Sequence, residues 1–143
     1  MMTIGAILGG KGREVVSVTA DQSVGAAVAL LAERRIGAVP VLDGDRVAGV
    51  FSERDVIYAI AHHGAAALDR TVADIMTAPA ITVRADEAVI GALSLMTKRR
   101  IRHLPVVEAD RIVGMVSIGD LVKYRIDRIE ADAEAMRNYI QSA

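Results

Sequence analysis

The chain has no cysteine and no tryptophan, and only one phenylalanine, three tyrosines and three prolines among 143 residues. Without cysteine there can be no disulfide, thiolate metal site or cysteine nucleophile, and a reducing cytoplasm is the compartment such usage suits. With so few aromatics, a 52% apolar composition has to build its core from Val, Ile, Leu, Ala and Met, a palette for helices packed closely on short strands. Neither sign of charge dominates. Seventeen Lys and Arg balance 18 Asp and Glu, which argues against a surface tuned as a whole to nucleic acid or to anionic membrane. No stretch approaches the roughly 18–20 apolar residues of a membrane helix, and the opening MMTIGAIL lacks the basic start and apolar length of a signal peptide. These features lead to the expectation of a soluble cytoplasmic protein with room for one domain, or for two half-size units sharing a core.

What the sequence does contain is itself, twice. Shifted by 65 residues, 16–57 align with 81–122 without a gap, and 16 of the 42 positions are identical. The identities mix core, turn and polar positions, so they mark a duplication rather than shared hydrophobicity. Upstream, TIGAIL (3–8) matches TVADIM (71–76) at an offset of 68, the first copy carrying three extra residues around GGKG. The expected division is repeat one over 3–62, a linker over 63–70, repeat two over 71–128, and a C-terminal helical extension over 129–143 that continues the last helix.

Each copy runs through the same periods. VVSV and AITV alternate like short strands, Asp21 or Asp86 is placed to cap a helix, and Val24, Ala27, Val28 and Leu31 share one helical face, as do Val89, Ala92, Leu93 and Met96. AVPVL and HLPVV then turn at DGD or EAD into RVAGVF and RIVGMV, a hairpin with its proline early in the first strand. A second helix follows directly. The predicted fold class is therefore α+β, with two repeats of strand-helix-strand-strand-helix burying their apolar sheet faces against each other.

Both hairpins close on Ser-x-x-Asp, Ser52 to Asp55 and Ser117 to Asp120, and two readings stand side by side. The spacing is nearly that of a capping box, worth about 1 kcal/mol of helix stability. The same turn from strand to helix also presents free N–H groups and the positive end of a helix dipole to a phosphate. The serine adds a donor there, and the aspartate is one turn away, where it can accept from a ribose diol. Repeat two alone adds a basic pair, Arg102 and His103, where repeat one has Gly37 and Ala38; facing the partner repeat, that pair reads as a phosphate clamp. A nucleic-acid patch at KRRIRH is the weaker reading, since no aromatic stacking residues accompany it.

These pieces, VADIM ahead of a strand, RRIGAVPVLDGDRVAGVFSERDVI and RRIRHLPVVEADRIVGMVSIGDLV, resemble a tandem pair of CBS (cystathionine β-synthase) domains, the Bateman module, here standing alone over about 3–128. The resemblance implies two repeats packed about a pseudo-twofold axis, with two clefts for adenosine-containing ligands: AMP, ADP, ATP, S-adenosylmethionine or NAD(H). It implies Asp55 and Asp120 as ribose carboxylates and Ser52 and Ser117 as phosphate-binding hydroxyls. Ala38, Val39, His103 and Leu104 would then contact adenine or face the phosphates, and Arg102 with His103 would match the phosphate-holding pair in the regulatory subunit of AMP-activated protein kinase. Repeat one lacks that pair, so its cleft is expected to be weaker, empty or dependent on groups from repeat two. No catalytic barrel like that of inosine monophosphate dehydrogenase accompanies the module, and no catalytic cofactor or metal is expected.

Three other stretches carry weaker signals. GGKG (9–12) lacks the spacing of a phosphate loop and reads as a flexible connector. His62 and His63 are neighbours that cannot share a helix face and read as a helix end before Gly64. Val122, Ile126, Ile129, Ala133, Met136 and Ile140 form a heptad-like seam that either packs back on its own module or completes a homodimer or docks a partner. The function expected is adenine-nucleotide sensing that signals to a regulated protein. An adaptor working through the C-terminal helix without ligand is the alternative, and a nucleotide-directed enzyme a distant third.

Overall fold

The computed structural model describes residues 2–11 and 14–142. In chain order the elements are α1 (Ile4–Lys11), α2 (Val24–Arg34), β1 (Ala38–Asp43), β2 (Arg46–Ser52), α3 (Glu53–His63), a 3-10 turn (Gly64–Asp69) and α4 (Val72–Ile75). The second half continues with β3 (Val83–Arg84), α5 (Val89–Arg99), β4 (His103–Glu108), β5 (Arg111–Ser117) and α6 (Ile118–Ser142). This is the α+β duplication that the sequence predicts, built as two small sheets with helices against them.

The hairpins superpose in register. Ala38 opposes Ser52 and Asp43 opposes Arg46 in β1–β2, His103 opposes Ser117 and Glu108 opposes Arg111 in β4–β5, and each carries a bulge at the equivalent place, Val41/Leu42 and Val106/Val107. Gly44 at φ +62° turns the first hairpin, whereas Ala109 and Asp110 take positive φ in the second. Pro40 opposes Val50, whose N–H and C=O face outward and exchange hydrogen bonds with Thr77. The N–H that proline lacks is therefore not missed.

The expected strands VVSV and AITV are mostly absent. Val18 bridges Val41 as an isolated pair, and β3 is two residues long, parallel to β4. The chain turns away at once because the next N–H is taken locally: Thr19 N donates to Gln22 Oε1 at 2.8 Å. The caps also differ from expectation. Ser23 caps α2, accepting from Ala26 N at 3.1 Å, and Ala88 sits at the corresponding place before α5 with no side-chain cap. Asp21 instead accepts from Thr19 Oγ1, and Asp86 pairs with Arg84. Asp21 and Gln22 lie in a turn, with Gln22 N donating to Thr19 O at 3.3 Å, and the start of α4 holds it in place, Val72 N donating to Gln22 O and Val24 N to Arg70 O, both at 2.8 Å.

That contact belongs to an exchange between the halves. α4, the leading helix of repeat two, packs into the core of repeat one with Val18, Val24, Ala27, Leu31, Val39, Val41 and Phe51. α1, the leading helix of repeat one, packs into the core of repeat two through Ile4, Ile7 and Leu8 against Val89, Met96, Leu104, Val106 and Leu121. The backbone bonds match: Ile4 N to Glu87 O and Gly5 N to Ala85 O on one side, Val72 N to Gln22 O and Ala73 N to Ala20 O on the other. Each half is thus completed by the leading helix of the other. GGKG is accordingly no connector over its first three residues, since Gly9, Gly10 and Lys11 are helical in α1; Gly12 lies outside the described residues.

α3 ends at His62 and His63 with Gly64 as its C-cap, as the sequence predicts. α6 is one continuous helix of 25 residues. Its last turns do not pack back on the module: every described residue from Ile126 onward is exposed. Among the described residues no helix is long and apolar enough to cross a membrane.

Candidate functional site

Both Ser-x-x-Asp turns are capping boxes. Asp55 Oδ2 accepts from Ser52 N at 2.9 Å while Ser52 Oγ accepts from Asp55 N at 3.4 Å. In repeat two, Asp120 Oδ2 accepts from Ser117 N at 2.8 Å and Ser117 Oγ accepts from Asp120 N at 3.1 Å. The cap also consumes groups that the phosphate reading needs. Ser52 Oγ donates to Asp55 Oδ2 at 3.0 Å, and the first helical N–H of α3, that of Glu53, goes to Gly37 O at 2.9 Å. The matching N–H of Ile118 goes to Arg102 O at 2.8 Å. Two of the first three N–H donors of α3 are therefore used inside the protein, so side chains have to supply most of the contacts to an anion at this turn.

Such side chains are present. A cleft of about 680 Å³ opens over β2 and the start of α3, lined by Ser52, Glu53, Arg54, Asp55, Ile57 and Tyr58 from repeat one and by Arg99, Ile101, Arg102 and His103 from repeat two. Gly37, Ala38, Val50, Thr77, Pro79, Ala80 and Ile81 complete the wall. The cleft lies within the roughly 300–1,000 Å³ usual for small-molecule sites. Arg54, Arg99 and Arg102 belong to none of the ion pairs among the described residues. Asp55 is held rigidly: Oδ2 is filled by the cap, and Oδ1 accepts from Thr77 Oγ1 at 2.9 Å. A carboxylate oxygen has two acceptor positions, so Oδ1 keeps one for a ligand hydroxyl.

The basic pair does face the other repeat. A Cβ on Gly37 would stand 3.5 Å from His103 Cε1 and 3.2 Å from Glu53 Oε1, so the imidazole of repeat two rests on the position where repeat one has no side chain. Burial holds the His103 pKa below its ordinary 6.5, with Lys11 and Arg102 acting the same way and Glu53 and Asp120 opposing. His103 is thus neutral at pH 7, leaving Arg102 as the cation of the pair.

The twin turn is engaged differently. Lys11 Nζ donates to Asp120 Oδ2 at 2.6 Å and to Met115 O at 2.9 Å. Met115 and Asp120 are the counterparts of Val50 and Asp55, which receive Thr77 N and Thr77 Oγ1. One ammonium therefore takes over the two bonds that Thr77 donates. Burial raises the Asp120 pKa, but hydrogen bonds from Lys11 and Ser117 outweigh it and hold the carboxyl below its usual value.

Of the residues singled out from sequence, Ala38, Ser52, Asp55, Arg102 and His103 meet around one cleft. Ser117 and Asp120 belong to the Lys11 turn. Val39 and Leu104 are fully buried, one in each core, because alternation along a strand turns them away from their neighbours Ala38 and His103. Thr77, Arg54, Arg99 and Lys11 escaped the sequence reading. The offset change from 65 to 68 was the available signal, since it places GGKG and the residue after TVADIM at equivalent positions. Among the described residues no cluster of three or more His, Asp or Glu is arranged to hold a metal.

The CBS family model matches residues 12–62 and 72–127, one match per repeat. The chain belongs to the CBS-domain family. The mitochondrial CBS domain-containing protein CBSX3 of Arabidopsis thaliana is 35% identical over 128 residues, 86% of this chain and 62% of that protein, so the match spans less than two thirds of that relative. Among solved structures, the CBS-domain containing protein ATU1752 from Agrobacterium tumefaciens shares 41% identity at a TM-score of 0.82, over 86% of this chain and 92% of that one. The CBS domain pair of protein MJ0100, solved with 5′-methylthioadenosine and S-adenosyl-L-methionine, shares 25% identity at a TM-score of 0.79, over 90% of this chain and 98% of that one. The α+β duplication of two small sheets with helices against them is thus the fold of a CBS pair.

Proposed function

We propose that this CBS pair is a regulatory module that binds an adenosine-containing ligand, AMP, ADP, ATP or NAD(H), in the Asp55 cleft and passes its occupancy to a regulated protein. The observation that carries the reading is the make-up of that cleft: apolar walls from Ile57, Ile81, Ile101 and Pro79, one immobilised carboxylate with an acceptor to spare, and three guanidinium groups without an ion-pair partner among the described residues. A base, a diol and a phosphate chain are the chemistry that such a set complements. Asp55 would take the ribose, Arg102 with Arg54 or Arg99 the phosphates, and the strand start at Ala38 the edge of the base. The bound adenosine compounds of the MJ0100 pair support the ligand class.

Because the walls come from both repeats, a ligand binds best at one relative setting of the two. That difference in affinity between settings is the only free energy available for a signal. The Asp120 turn is proposed as the weaker site, its carboxylate being held by Lys11. The second reading, an adaptor that needs no ligand, rests on the exposed seam of α6 and predicts no response to nucleotides.

Thermal unfolding against AMP, ADP, ATP, NAD, NADH and S-adenosylmethionine, with GTP and CTP as controls, tests the proposal. A ligand at a hundred times its dissociation constant adds about 2.7 kcal/mol, on the order of 5–10 °C for a chain of this length. Asp55→Ala should remove the shift and Asp120→Ala should keep it. Equal shifts with guanine nucleotides, or a full shift in Asp55→Ala, would overturn the assignment.

A further inference from the structure

The last helix outruns the module it belongs to. The family match ends at residue 127, and Leu121 is the one fully buried residue of α6. Yet the exposed part is not built for solvent. Val122, Ile126, Ile129, Met136 and Ile140 are 42%, 49%, 56%, 60% and 64% exposed, and with Ala133 they recur at alternating steps of four and three. A seven-residue apolar repeat of this kind forms a stripe along a helix that a second helix can cover. Consecutive residues stand about 100° apart around the axis. The stripe through Val122 is therefore turned away from Leu121 and stays open while the module packs.

We propose that residues 122–140 of α6 pair in parallel with the same segment of a second copy of this chain. The charges flanking the stripe select both partner and direction. In a parallel pair the residue just before one seam position meets the residue five further along the other helix. Arg125 then faces Glu130 of the second copy, and Asp132 faces Arg137 of the second copy, so both available pairs are of opposite sign. Reversed with the seams fully overlapped, Glu130 meets Glu130, Asp132 meets Asp132 and Lys123 meets Arg137, all like pairs. Arg137 now bonds Glu134 on its own helix at 2.6 Å, but both are largely exposed, and such a pair is easily exchanged. Fewer than three heptads would be marginal for free peptides; here helix nucleation is already accomplished by the turns anchored at Leu121.

The absence of cysteine makes the test direct. Met136 meets its own copy only in the parallel arrangement; in the reversed one it lies opposite Ile126. Mild oxidation of Met136→Cys should give a covalent dimer, and Ala135→Cys on the outer face should not. In sedimentation, the wild type should self-associate, and Arg125→Glu/Arg137→Glu should weaken association at least tenfold. Mixing that variant with Glu130→Lys/Asp132→Lys should restore it, because all four flanking pairs are then opposite in sign. Equal crosslinking of the two cysteine variants, association unchanged by charge reversal, or a wild type that stays monomeric at 100 µM or so would each overturn the proposal, the last leaving the stripe to a different protein.

Discussion

Gly49 and Gly114 hold the same place in their repeats, each beneath the segment received from the other half. A Cβ on Gly114 would lie 2.6 Å from Leu8 Cδ2 and 3.0 Å from Cδ1; one on Gly49 would lie 2.8 Å from the Thr77 carbonyl oxygen and 2.9 Å from Met76 Sδ. By distance alone Gly114→Ala is the worse change, but the opposite order is expected. Leu8 meets the intruder with the ends of a side chain, and a rotamer adjustment in a packed core costs about 1 kcal/mol. At Gly49 the obstacle is backbone. Relief must move Thr77, whose N–H and C=O both bond Val50 at 2.9 Å. Overpacking of about 1–3 kcal/mol then adds to the weakening of two hydrogen bonds worth about 1 kcal/mol each. Removing glycine from a strand returns about 0.5–1 kcal/mol in both variants. The outcome is a loss of about 3 kcal/mol for Gly49→Ala and about 1 kcal/mol or less for Gly114→Ala. At roughly 3 °C per kcal/mol, thermal scans with urea titrations alongside should read a drop near 9 °C for Gly49→Ala and of about 3 °C or less for Gly114→Ala. Gly49→Ala should also blunt the nucleotide response, because Thr77 Oγ1 positions Asp55. Equal losses, or a larger one for Gly114→Ala, would refute the distinction between backbone and side-chain obstruction.

Two further expectations follow from single groups. Ala88 has the extended backbone of an N-cap, φ −72° and ψ 141°, without a capping side chain, so Ala88→Ser should raise stability by about 0.5–1 kcal/mol and Ser23→Ala should lower it by about 1 kcal/mol in the same urea titration. His103 has a folded-state pKa below its ordinary 6.5 because it is buried. The unfolded chain therefore binds the proton first on acidification, and stability falls as pH drops below about 6.5. His103→Gln should lose less stability between pH 7.5 and 5.5 than the wild type; an equal loss in both would place the titrating group elsewhere.

The duplication, the hairpins and the helix faces were legible because each rests on local chemistry: Ser-x-x-Asp, a turn at Gly44, and apolar residues three and four apart. What remained hidden depends on long-range contacts. Asp21 looked like a cap because nothing local says that Val72 will bind Gln22 and fix a turn there, so that the helix begins only after Ser23. Lys11 looked like part of a loop because its partner, Asp120, is 109 residues away. Val39 and Leu104 are adjacent to cleft residues in sequence, but the two-residue period of a strand sends them into the cores. The basic pair was visible as a difference between repeats, and its position beside Gly37 follows from what Gly37 lacks.

The exchange of leading helices sets an order on synthesis. α1 is made before the core it joins, so Ile7 and Leu8 have none to enter until β5 and the start of α6 exist. Ribosomes add about 5–20 residues per second, so the 109 residues that separate Lys11 from Asp120 amount to roughly 5–20 s. α1 waits throughout that interval, and the first half itself lacks α4 until residue 75 has emerged. A ribosome stalled between the repeats would therefore display two unfilled apolar surfaces, and chaperone capture should peak for chains halted there.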